Sequence, residues 1–127
     1  MLSEDTRILY ENIYKEVEAI GKALRNSIKH MPKYNRYLVG DRIVSLLVDI
    51  KLEVKLALVA IDYKYDTIKL YNLLITLGIL IDDQIEDGGL LLKGKYTVHE
   101  PRMRLASLLL MLKDYYLKTD VAHNTLL

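Results

Sequence analysis

A chain of 127 residues with 51% apolar and 28% charged side chains, six glycines and two prolines has material for one core and few loops, so a single folded domain is expected. There is no cysteine, which excludes a disulfide framework, a thiolate metal site and a cysteine nucleophile, and a net charge of +1 gives no global field toward nucleic acid. The acidic start MLSEDTRILYE is no secretory signal and the longest uncharged run, Leu70–Ile81, is too short to span a bilayer, so a cytoplasmic protein without a membrane partner is expected.

The first predicted element is a helix over about 3–30. Ile8, Leu9, Ile13, Val17, Ile20, Leu24 and Ile28 recur at spacings of three and four and draw one stripe. Ser3 can cap it, Glu4 and Asp5 suit its positive end, and Lys22, Arg25, Lys29 and His30 suit the other. Pro32 blocks continuation and fits the first turn of the next helix.

The second element, about 33–61, has two readings. "DIKLEVKLAL", residues 49–58, alternates like a strand, and as a helix it sets Asp49/Glu53 and Lys51/Lys55 as like-charge pairs four apart. Helix is preferred, because no turn residue interrupts 41–61 and Leu, Ala, Lys and Glu are strong helix formers. Such a helix is apolar on more than one side, which points to a second buried face between subunits.

Asp62 is a plausible cap for a third helix over about 63–87, with Ile68, Tyr71, Leu74, Ile75, Ile81 and Ile85 near one face and Gly88-Gly89 as its end. A loop through LLLKGKY follows. Thr97-Val-His-Glu100 has capping-box spacing with Pro101 in the first turn, and a fourth helix runs over about 98–118 before a frayed tail, 119–127. The fold class expected is all-α, an antiparallel up-down-up-down four-helix bundle.

In that topology the turn near Pro32 and the loop near 88–97 share one end. Residues 22–42 hold Lys22, Arg25, Lys29, Lys33, Arg36 and Arg42 against Asp41, and residues 93–104 add Lys93, Lys95, Arg102 and Arg104 against Glu100. Asp82, Asp83, Glu86 and Asp87 reach the same end in the last turns of the third helix, where the macrodipole disfavours them. Cross-helix pairing with Arg36, Arg42 or Arg102 is the expected remedy. All ten aromatic residues are tyrosines, and Tyr34 and Tyr37 interleave with Lys33 and Arg36 as in patches that stack single-stranded nucleic acid. Tyr37 is read as a lid on the core; Tyr34 is open between lid and contact.

Catalytic signals are sparse. Arg25 and His30 have the arginine, four residues, histidine spacing of helical HEPN-type ribonucleases, though a basic pair at a helix C-terminus is expected on dipole grounds alone. "DDQIED", 82–87, resembles the carboxylate sets that hold Mg²⁺ in helical prenyl-transferring enzymes, but a second set and a large cavity are missing. There is no phosphate loop, no histidine pair at ligand spacing and no Ser/His/Asp pattern. No enzyme, cofactor or metal is expected.

The turn Pro32-Lys33-x-x-Arg36-Tyr37-x-x-Gly40-x-Arg42-Ile43 resembles a family of small bacterial four-helix-bundle proteins. These are encoded by intervening sequences of 23S ribosomal RNA genes, and they include the accessory variability determinant (Avd) of diversity-generating retroelements. The resemblance implies a ring-like homopentamer that is not an enzyme and that, in the Avd branch, binds a reverse transcriptase and its template RNA in support of mutagenic retrohoming. It implies that Lys33, Arg36 and Arg42 are the basic contacts of the turn and that Gly40 permits close helix approach. The binding residues expected for RNA or a partner are Lys29, Lys33, Tyr34, Arg36, Arg42, Lys93, Lys95 and Arg102. The alternatives are an interaction module of the intervening-sequence type without RNA contact and, third, a HEPN-like ribonuclease.

Overall fold

The computed structural model describes residues 4–59 and 67–126, with side chains for 4–59 and 68–115. Among them there is no strand, and four long helices carry the fold: α1 (Glu4–Ile28), α3 (Asp41–Val59), α4 (Thr67–Asp87) and α5 (His99–Leu126), with a single helical turn, α2 (Lys33–Asn35), before α3. The stripe of apolar spacings is closely followed in α1, where Ile13, Val17, Ile20, Leu24 and Ile28 are buried, joined by Tyr10, while Ile8 faces out. α1 and α4 each pack against both α3 and α5, so each long helix has two neighbours around one core. Leu24, Ile50, Leu74 and Leu105, one from each, are fully buried within it. Each such side chain contributes about 1.5–3 kcal/mol by leaving water.

The segment that alternates like a strand is helical throughout, and three of its four awkward charges, Lys51, Glu53 and Lys55, find partners on other helices. Lys51 pairs with Glu18 of α1 at 2.6 Å and Glu53 with Lys69 of α4 at 2.9 Å. The Lys51 and Lys55 ammonium groups both lie 5.9 Å from the centre of the Tyr14 ring. The alternation therefore records neighbours on two sides of a helix, and α3 retains a third, exposed set: Val48, Leu52, Leu56 and Val59.

On α4 the buried stripe is Leu70, Leu74, Leu77 and Ile81, ending in the buried amide of Gln84; Ile68 is exposed and Ile75 only half-buried. Apolar residues on several sides of that helix between Ile68 and Ile85 leave its inner face ambiguous in sequence. The caps expected at Ser3 and Asp62 lie outside the described residues. α5 continues to Leu126, past the expected end near Lys118, since no glycine or proline interrupts it. No helix of the described residues is long and apolar enough to cross a membrane.

Candidate nucleic-acid and partner interface

The junction between α1 and α3 is built by three successive devices. After Ile28 the chain turns through Met31, and Pro32 takes an extended conformation (φ −51°, ψ 142°) that stops α1 and starts α2. Residues Arg36–Gly40 then form a π-helical turn, whose wider ring is closed by the Asp41 amide donating to the Arg36 carbonyl. Gly40 is buried where this turn meets α1, and a Cβ there would lie 3.1 Å from Ile28 Cγ2 and 3.3 Å from Met31 Sδ. A methyl there would require Ile28 or Met31 to give way by a few tenths of an ångström.

Asn35 locks the junction to the end of α4. Its Nδ2 donates to Gln84 Oε1 at 3.0 Å and to Asp87 Oδ2 at 2.8 Å, and Gln84 is 3% exposed. α4 ends in a Schellman turn: Gly88, at φ 85°, donates to the Ile85 carbonyl and Gly89 to the Gln84 carbonyl. The Asn35 amide sits against Gly89, where a Cβ would meet both Gln84 Oε1 and Asn35 Nδ2. Neither Asn35 nor Gln84 stood out in the sequence, since their meeting depends on packing across 49 residues of chain.

The following loop is pinned at its base by a bridge between Leu91 and Thr97, with the Val98 amide donating to the Leu91 carbonyl, and by buried Leu90 and Val98. Gly94, at φ 102°, makes the tip, which exposes Lys93 and Lys95. Thr97 Oγ1 accepts from the His99 amide, while Glu100 pairs with Arg104 rather than returning to close the expected box. Ser27 Oγ of α1 donates to the Thr97 carbonyl, and the His30 ring stacks on Tyr96 at 3.4 Å and 6° from parallel. His30 Nδ1–H donates to the Asn26 carbonyl, and Lys95 lies 5.5 Å from the Tyr96 ring centre. These contacts bring the turn, the loop and the α4 terminus together at one end.

Within that end the charges divide. Arg102 grips Asp82 with both arms, Nε to Oδ1 at 2.7 Å and Nη2 to Oδ2 at 2.9 Å. Hydrogen bonding from Arg102 holds the Asp82 carboxyl below its ordinary value, and Asp82 in turn raises the guanidinium. Arg102 is thus engaged within the fold, beside a groove of about 310 Å³ that Ile85, Leu92 and Met103 also line. Arg36 donates to the Lys29 carbonyl at 3.3 Å. Lys29, Lys33, Arg36, Arg42, Lys93 and Lys95 have no acidic partner among the described residues. Tyr34 is 74% exposed and Tyr37 64%, so Tyr37 does not act as a lid.

Of the acids, Asp82 is held by Arg102 and Asp87 by Asn35, while Asp83 and Glu86 are exposed. Among the described residues no group of three or more His, Asp or Glu side chains could hold a metal ion. Comparison with known family models, curated proteins and solved structures finds no match.

Proposed function

We propose that this chain is a non-catalytic accessory subunit of the Avd type, a cytoplasmic protein that assembles with copies of itself, engages a reverse transcriptase and binds its template RNA in support of mutagenic retrohoming. In this reading the long helices run up, down, up and down, and the subunits close a ring, a pentamer by resemblance. The observation that carries it is the gathering of Lys29, Lys33, Arg36, Arg42, Lys93 and Lys95, without acidic partners among the described residues, beside exposed Tyr34 and Tyr37. A filter-binding titration of template RNA against salt tests it. The expected outcome is a steep fall in affinity with ionic strength, and loss of binding in Lys33→Glu/Arg36→Glu/Arg42→Glu while the oligomer persists. Binding unchanged by the triple reversal would falsify the reading.

A second reading, an interaction module that contacts only protein, is favoured by the exposed apolar set on α3 and by the exposed acids Asp83 and Glu86, which have no ion-pair partner among the described residues. It expects no RNA retention at any salt concentration.

A further inference from the structure

A groove of about 1020 Å³ runs along the outer side of α1, and among the described residues it is lined by α1 and by Lys29 just past its end. Lys15, Lys22 and Lys29 recur every seven residues along it, about 10.5 Å apart at the helical rise. Arg25 and Asn26 add donors, and Ala19 and Ala23 keep the space between the lysines open. Its one acid, Glu18, is held at 2.6 Å by Lys51, and that hydrogen bond keeps the carboxyl below its ordinary value. The surface the groove presents is therefore cationic along its whole length.

The groove ends at the stacked rings. Asn26, which lines it, accepts from His30, and His30 lies on Tyr96; Lys29, which also lines it, accepts from Arg36 at the π turn. A row of single cations leading to flat, accessible rings matches a strand whose phosphates run in file and whose bases are unpaired. A duplex keeps its bases in the stack, out of reach of Tyr34 or of the His30–Tyr96 pair, whereas every free base offers a face to an aromatic ring.

We infer that the α1 groove is the track for a single-stranded nucleic acid, with Lys15, Lys22 and Lys29 on successive phosphates and Tyr34 and the His30–Tyr96 stack receiving bases at its end. The inference rests on the RNA-binding reading proposed above and extends it to residues outside the turn. The test uses the full chain, labelled single-stranded 12-mers of RNA and DNA, an RNA duplex and polyglutamate, with anisotropy read across a salt series. Lys15→Gln/Lys22→Gln should weaken single-strand binding and make the slope of log K against log salt shallower by about 1.4, at about 0.7 per phosphate contact. Tyr34→Leu should weaken it at least about fivefold while Tyr34→Phe leaves it unchanged, since only the ring is needed.

If Lys15→Gln/Lys22→Gln binds as the parent does while the triple reversal of the turn abolishes binding, the track is wrong and the RNA-binding reading stands. No binding of either 12-mer by the parent overturns both. A duplex bound as tightly as the single strand, or polyglutamate displacing it at equal charge, overturns the assignment of a single strand. Equal loss in Tyr34→Leu and Tyr34→Phe removes stacking from it.

Discussion

The Asn35 amide joins two parts of the chain by hydrogen bonds to one buried and one exposed acceptor. Asn35→Ala leaves Gln84 Oε1 buried without its donor, which costs about 1–3 kcal/mol, measured by urea unfolding. Asn35→Asp should cost more, because a carboxylate would then face Asp87 and the Gln84 oxygen. Equal stability of all three proteins would show that water replaces the amide. Gly89→Ala has the same focus, since its methyl would press on both amides; about 1–3 kcal/mol is expected for such overpacking.

The Asp82–Arg102 pair carries a pH signature. Its carboxyl is lowered from an ordinary value of 3.8, so its contribution is full above that value and is lost as pH falls through the lower folded-state value. Asp82 remains 55% exposed on its side chain, and such pairs are worth about 1 kcal/mol or less. The stability gap between the parent and Asp82→Asn should therefore be small near neutrality and vanish in acid. A gap that widens on acidification would contradict the assignment.

Elements show why the fold was readable and the site was less so. α1 was legible because its buried stripe is narrow and its charged residues fall outside that stripe, and α3 because length and helix propensity outweighed an alternating pattern. α4, with apolar residues on several sides, could not declare its inner face, and the buried role of Gln84 was invisible because it depends on a partner 49 residues away. The π turn was equally hidden, since nothing in RYLVG distinguishes it from ordinary helix; it arises where Gly40 lets α1 come close. The basic residues of the turn were read from charge and from the resemblance, and of the three arginines expected to pair with the α4 acids only Arg102 does so among the described residues, with Asp82. A π turn holds one residue more than the helix needs, so deleting Leu38, which is exposed, should keep the helix but rotate Asn35 by about 100° away from Gln84. Circular dichroism should stay helical while thermal stability drops; an unchanged melting curve would mean that Asn35 is not aligned by this turn.

At the scale of the molecule, near-neutral net charge conceals local sorting, with cations on the groove face of α1 and on the turn after it, and Asp83 and Glu86, without an ion-pair partner among the described residues, at the end of α4. Val48, Leu52, Leu56 and Val59 on α3 remain as an apolar surface outside the core. If copies assemble through it, Leu52→Lys should lower the mass seen by sedimentation while leaving the helical signal intact. A parent that is already monomeric at every concentration would exclude that role. The loop after α4 has a different use. Its ends are fastened by the Leu91–Thr97 bridge and by buried Leu90 and Val98, whereas Lys93-Gly94-Lys95 projects from them. The chain can therefore be cut or lengthened at this tip without parting the helices. Trypsin should nick there first and leave two pieces that elute together, and a fluorescent tag inserted at Gly94 should report on binding at this end from within the folded protein.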